Sequence, residues 1–198
     1  MFECVQGEGG VNNLDYDFVK AIEKLAKEKD VLMVVDEVQT GNGRTGRYFA
    51  YENFDIMPDI VSTAKGLAGG LPMGAVLLGE SVTPGTHGST FGGNPVCAAG
   101  AISIVSRIDD EFLKSVREKS EYIKKYLMGI NGVKSVSGMG LMLGVETEKD
   151  AKQIANECLE NGLLVLTAKT KIRLLPALNI SYCELDRGLK ILKEVIEK

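Results

Sequence analysis

The chain has 198 residues, 44% of them hydrophobic and 25% charged, and carries a net charge of −4. The acidic balance argues against binding a nucleic-acid backbone, which calls for a basic face, and the longest apolar runs, VLMVV and GAVLLG, are too short to cross a bilayer. Four scattered cysteines (Cys4, Cys97, Cys158, Cys183) without a CxxC pair, and a single histidine, predict neither a disulfide frame nor a metal site.

The opening MFECVQGEGG lacks the basic region, apolar run and cleavage site of a secretory signal, so with the scattered thiols a cytoplasmic location is expected. MFECVQ reads as the end of a strand. Residues 15–30 place Phe18, Ile22, Leu25 and Ala26 at helical spacing with charges opposite, which predicts a helix. VLMVVDEVQ then reads as a strand buried on both faces, DIVSTA as a second and GAVLLGE as a third. Asn94 and Pro95 mark the cap and first turn of the next helix. A long charged helix covers about 109–128, and in it REKSEYIKK, with Lys124 and Lys125, reads as a solvated face. A hairpin follows over GVKSVSGMGLMLGVETE, then a helix over 149–161, strands at GLLVLTA and KIRLLPAL, and a last amphipathic helix from Glu184. The expected organisation is α/β: part of a large domain over 1–105 and a smaller α+β domain over 106–198.

Glycine is abundant, 23 residues gathered mainly at 6–10, 41–46, 66–74, 85–93 and 138–144, as where backbone must approach a ligand or partner closely. Asp36 ends the first apolar strand and Lys65 follows the second. In a parallel sheet both would stand on the same rim, where open α/β sheets bind ligands. They could form a structural ion pair, or a site for pyridoxal phosphate, in which a lysine amine holds the cofactor and a carboxylate keeps its ring nitrogen protonated. His87 reads as a loop residue rather than a catalyst.

The run VVDEVQTGNGRTGRYFAYENFDIMPDIVSTAKGLAGGLPMGAVLLG, with ECVQGEGGV before it and THGSTFGGNP and KIRLLPALNIS after it, resembles the ordered blocks of the class III pyridoxal-phosphate aminotransferases. Within that family the wording is closest to the acetylornithine branch. The resemblance implies the fold type I, aspartate-aminotransferase-like architecture and pyridoxal 5'-phosphate as cofactor. It implies that Lys65 carries the cofactor covalently and moves protons at the substrate α-carbon, and that Asp36 pairs with the ring nitrogen. Val38 would pack on the ring, with an ordinary core valine equally open, Gln39 would reach the phenolic oxygen, and Glu37 falls in the same motif with a structural role also open. Thr90 would bind the cofactor phosphate and Ser89 would lie near substrate, both serving the neighbouring subunit of a homodimer. Arg173 would grip a substrate carboxylate, and Glu8 would pair with that arginine when other substrates bind; a purely structural Glu8–Arg173 ion pair is the alternative.

One local departure is Cys4, where the family usually has proline. The larger one is length, because family chains are roughly twice as long. The absent half would carry a second phosphate loop, an aromatic that stacks on the cofactor, another substrate arginine and several sheet strands. Three readings follow. The chain is a truncated or split acetylornithine-type transaminase, weak or inactive alone and completed by an N-terminal half; or a non-catalytic remnant that dimerises; or an unrelated glycine-rich nucleotide-binding α/β protein, against which stands the lack of any Walker or dinucleotide fingerprint. Within the transaminase reading the amino donor stays open, because ornithine, succinylornithine and 4-aminobutyrate transaminases share these blocks. Its expected small-molecule partners are an amino donor and a 2-oxo acid.

Overall fold

The structure is a computed structural model and describes residues 1–80, 82 and 88–198. In chain order the elements are β1 (Val5–Gln6), β2 (Asn12–Asn13), α1 (Tyr16–Glu28), β3 (Val34–Asp36), β4 (Ile60–Thr63), β5 (Ala75–Leu78), α2 (Pro95–Val105), α3 (Asp110–Leu127), β6 (Val133–Met139), β7 (Met142–Thr147), α4 (Ala151–Glu160), β8 (Leu166–Ala168), β9 (Lys171–Leu174) and α5 (Tyr182–Glu197), with 3-10 turns at Ala50–Phe54 and Lys65–Ala68. They form two compact units: Met1–Cys4 with Leu14–Leu113, and Val5–Asn13 with Lys114–Lys198. Where the sequence alone draws a boundary after residue 105, these units divide inside α3 and group residues 5–13 with the second.

In the first unit β3 and β4 run parallel, with Val34, Val35 and Asp36 opposite Ile60, Val61 and Ser62. Their C-terminal ends therefore share one rim. β5 returns antiparallel on β4, with Thr63 opposite Ala75, and Phe2 bridges Val35 on the far side of β3. The strands are shorter than the apolar runs, and burial on both faces does not extend along them. Met33, Val35 and Val61 are buried, whereas Val31, Leu32 and Val76–Leu78 are exposed.

Asp15 caps α1 by accepting from Phe18 N at 2.9 Å. The inward face of α1 differs from the expected stripe, because Val19 and Glu23 are buried while Phe18 and Leu25 are exposed. Two contacts outside the helix favour this rotation: Tyr16 stacks on Phe54 at 6.3 Å, and Glu23 accepts from the Met57 amide at 3.3 Å. Within the helix Glu23 also pairs with Lys20 at 2.9 Å and Lys27 at 3.0 Å. A carboxylate with three donors is stable where a bare one would be expelled to water. Asn94 caps α2 as expected, accepting from Val96 N at 3.0 Å and Cys97 N at 3.3 Å, with Pro95 as first residue. Ala101 of α2 packs with Leu67 and Ala68, while Val96 and Ile102 on its other side are 65% and 71% exposed.

The second unit is an antiparallel sheet of order β6-β7-β9-β8. Leu143, Val145 and Ile172 from the sheet, Ile154 and Cys158 from α4, and Leu189 and Leu192 from α5 are all buried. Each such side chain contributes about 1.5–3 kcal/mol by leaving water. Asp150 caps α4, and Ser181 with Glu184 forms a capping box that starts α5 at Tyr182, two residues before the expected start. Lys119, inside the run read as a solvated face, is buried instead and donates to Leu178 O at 3.1 Å. β1 and β2 pair as a hairpin whose Val5 and Val11 form a cluster with Met142 and Ala168. Glycine is needed at 144, where an added Cβ would stand 2.8 Å from that of Val11.

Candidate active site

The rim of the first unit is assembled from the ends of β3 and β4. Asp36 is half-buried, and its Oδ1 accepts from Val38 N at 3.0 Å and from Ser62 Oγ at 3.2 Å. The two bonds follow from sequence and register: an Asx turn tightens the chain after the strand, and the parallel pairing sets Ser62 directly opposite. One oxygen of the carboxylate is thereby held from two sides, which orients the group on the rim. Val38 and Gln39 follow, both half-buried.

Glu37 faces the opposite way and is fully buried. Its carboxylate accepts from Thr40 Oγ1 at 2.5 Å and from Tyr51 N at 2.9 Å, with the Ala50 amide as a further donor. Burial pushes the Glu37 carboxyl up, and these donors oppose the shift. Its chemistry is that of a brace, tying the segment after Asp36 to the Ala50–Phe54 turn. Cys4, buried near it, has its thiol pushed up to about 12 by desolvation first and the Glu37 charge second. Gly41 closes this turn by donating to Glu37 O at 2.9 Å, and an added Cβ there would lie 2.8 Å from the same oxygen.

Lys65 opens the 3-10 turn after β4 with its side chain exposed. Its φ is +49°, the left-handed region, which costs a non-glycine residue about 1–2 kcal/mol. Asn42, itself at φ +56°, donates from Nδ2 to Thr63 Oγ1 at 3.1 Å and to Ala64 O at 3.2 Å. Ser89 and Thr90 are exposed in the turn before α2, where Gly92 N donates to Ser89 O at 3.0 Å. His87, expected as a loop residue, lies outside the described residues.

In the second unit Arg173 of β9 finds the carboxylate that an arginine in an apolar strand requires. Its Nη1 donates to Glu8 Oε1 at 2.6 Å; the Arg173 side chain is 10% exposed and that of Glu8 72%. Nε of Arg173 is buried with no partner among the described residues. A nearly buried guanidinium beside a largely exposed carboxylate can exchange that carboxylate for one on a ligand.

Sequence reasoning did not find Ser62, Thr40 or Asn42. Ser62 was reachable in principle, because pairing the two strands by their apolar residues sets it against Asp36. Thr40 and Asn42 carried no signal beyond being polar residues in a turn.

The residues present fit pyridoxal phosphate. Asp36 Oδ2 suits a ring N–H, and the exposed Lys65 amine on the adjoining strand end suits a carbonyl carbon. The profile of the family "Aminotransferase class-III" matches residues 1–196. Acetylornithine aminotransferase of Haemophilus ducreyi is 47% identical over the whole chain, which spans 52% of that protein. The enzyme of the same name from Aquifex aeolicus is 46% identical over 99% of the chain and is covered over 53% of its length. Among solved structures, N-acetylornithine aminotransferase from Stenotrophomonas maltophilia matches with a TM-score of 0.89 and 38% identity, over 98% of this chain and 54% of that one. A transaminase from the marine bacterium Virgibacillus gives a TM-score of 0.90 at 28% identity, over 98% of this chain and 52% of that one. The fold is that of the pyridoxal-phosphate-dependent aminotransferases, and the chain spans about half the length of the relatives it matches.

Proposed function

The chain belongs to the class-III aminotransferases, and on that premise we propose that it takes part in pyridoxal 5'-phosphate-dependent amino transfer from N-acetylornithine to 2-oxoglutarate, a step of arginine biosynthesis. The observation that carries this reading is the rim itself. A lysine amine and a carboxylate oriented by two hydrogen bonds to Oδ1 stand at the ends of two adjacent parallel strands, at Lys65 and Asp36. Bound there, the cofactor supplies an electron sink for the bonds at the substrate α-carbon.

Each residue then has a task. Lys65 Nζ anchors the cofactor and afterwards carries the proton taken from and returned to the substrate. Asp36 Oδ2 keeps the ring nitrogen protonated. Val38 packs on the ring, and Gln39 donates toward its phenolic oxygen. Thr90 holds phosphate and Ser89 contacts substrate, both for the neighbouring copy in a homodimer. Arg173 binds a substrate carboxylate, and Glu8 neutralises the guanidinium when a substrate without that carboxylate is present. Glu37 braces the motif rather than touching the cofactor. The first unit corresponds to part of a large cofactor-binding domain and the second to a small domain. The four free thiols agree with a reducing, cytoplasmic setting.

The chain spans about half of its relatives, and in this reading the part of the family that it lacks completes the pocket, so turnover by these 198 residues alone is weak or absent. A second reading, a dimerising remnant without catalysis, draws on the apolar side chains left exposed on α2 and β5, Val96, Ile102 and Val76 among them. Incubation with pyridoxal phosphate, borohydride reduction and peptide mapping separates the two. The transaminase reading expects an adduct on Lys65, and amino transfer from N-acetylornithine once the N-terminal half is added. No adduct, and no turnover with that half present, would leave only the remnant.

A further inference from the structure

We infer that Asn42 is a positioning residue: its side-chain amide clamps the peptide ahead of Lys65 and so holds the lysine in its left-handed backbone conformation. The argument begins with the Ala64 carbonyl. It accepts from Asn42 Nδ2 at 3.2 Å on one side and from Leu67 N at 3.1 Å on the other. Those two bonds fix the plane of the Ala64–Lys65 peptide, and the φ of Lys65, +49°, is the rotation measured from that plane. Glycine would adopt this angle freely, but glycine has no amine. The position has to be a lysine for its chemistry, so its surroundings must hold the conformation for it.

Asn42 is suited to that work and has little else to do. It is 6% exposed, and its second donor contact, to Thr63 Oγ1 at 3.1 Å, reaches the same strand end. Its Oδ1 is buried without a partner among the described residues, so the amide is retained for its donor side at the expense of its acceptor. Asparagine also tolerates the left-handed φ of +56° that the loop imposes on it. The loop is fastened at both ends, by Gly41 N to Glu37 O at 2.9 Å and by Gly43 N to Tyr48 O at 3.1 Å. One loop therefore connects the residue after Asp36 to the residue before Lys65, and a shift in it would move both groups.

The consequence for amine chemistry rests on the transaminase reading; the backbone clamp does not. Two variants test the clamp. Asn42→Asp keeps shape and φ preference but replaces the donor with an acceptor facing the Ala64 carbonyl. Asn42→Gly keeps the φ and removes the amide. NMR of the chain reports the sign of φ at Lys65 through the one-bond Cα–Hα coupling and the intraresidue amide–Hα cross-peak. The wild-type chain is expected at positive φ and both variants at negative φ. Folded variants that keep Lys65 at positive φ, or a wild-type chain at negative φ, would overturn the inference. The share of reducible pyridoxal phosphate found on Lys65, relative to the other lysines, is then expected to fall about tenfold in both variants. An unchanged share despite a changed φ would overturn the positioning role. A changed φ with no preference for Lys65 in the wild-type chain counts against the transaminase reading and leaves the clamp standing.

Discussion

Glu8 and Arg173 lie 165 positions apart in sequence and meet at 2.6 Å, within one compact unit. The pair is asymmetric: the guanidinium is nearly buried and the carboxylate largely in water. The water around Glu8 screens the attraction, and a ligand carboxylate can reach the guanidinium from the same side. Glu8→Gln is therefore expected to leave stability within about 1 kcal/mol of wild type while tightening 2-oxoglutarate binding about three- to tenfold. Arg173→Lys loses the two-pronged grip and weakens that binding by about tenfold or more. Isothermal titration calorimetry reads both, and a Glu8 variant that binds 2-oxoglutarate no better would reduce the pair to a structural contact.

Ser62 should matter to the cofactor without touching it. Its hydroxyl fixes one oxygen of Asp36, so Ser62→Ala is expected to weaken pyridoxal phosphate retention about three- to tenfold, with Ser62→Thr close to wild type. Equilibrium dialysis gives the affinities directly.

Glu37 is a stability residue. Glu37→Ala strands the Tyr51 amide and the Thr40 hydroxyl, at an expected cost of about 2–4 kcal/mol in urea unfolding. Because burial raises this carboxyl, the folded chain holds its proton more tightly than the unfolded chain does. Its contribution is therefore greatest at low pH and is lost as pH rises through the folded value. Stability of wild type relative to Glu37→Gln should decline as pH rises above the ordinary carboxylate range.

Glu23 has the opposite sign. Its carboxyl is lowered to about 2, first by the Lys20 hydrogen bond, so its stabilisation is present above the ordinary value of 4.5 and fades toward pH 2. Glu23→Gln should cost about 1–2 kcal/mol at neutral pH. The gap from wild type should close between pH 4.5 and about 2, as denaturant melts across that range would show.

The exposed apolar side of α2 predicts association. Sedimentation velocity should find the chain self-associated, and Ile102→Asp, at a site 71% exposed, should shift it toward monomer while leaving thermal stability nearly unchanged. A chain that is monomeric before the substitution would refute this.

The helices were legible because their caps and periodicity are local: Asn94–Pro95 starts α2, as read from sequence. The face of α1 was not, since Phe18 and Leu25 looked more apolar than Glu23, and the contacts that reverse that order, the Met57 amide on Glu23 and the Tyr16–Phe54 stack, come from outside the helix. Apolar strings such as VLMVV disclosed strands but not their ends or burial, because both depend on which neighbours cover them. At the rim, Asp36 and Lys65 were readable from their place after apolar runs, and Arg173 from its need for a counter-charge. Ser62, Thr40 and Asn42 act through single hydrogen bonds across loops, which depend on register and turn geometry and leave no periodic trace.

The hairpin of residues 5–13 has a practical consequence for anyone who cuts this chain. The backbone alternates between the two units three times, at 4/5, 13/14 and 113/114. A protease nick near 113 would not release the second unit intact, because Val5 and Val11, which fill its cluster with Met142 and Ala168, would remain on the other fragment. A gene fragment beginning at Lys114 would encode a domain with a hole in its core, and a usable excision would have to carry the hairpin with it, grafted through a linker.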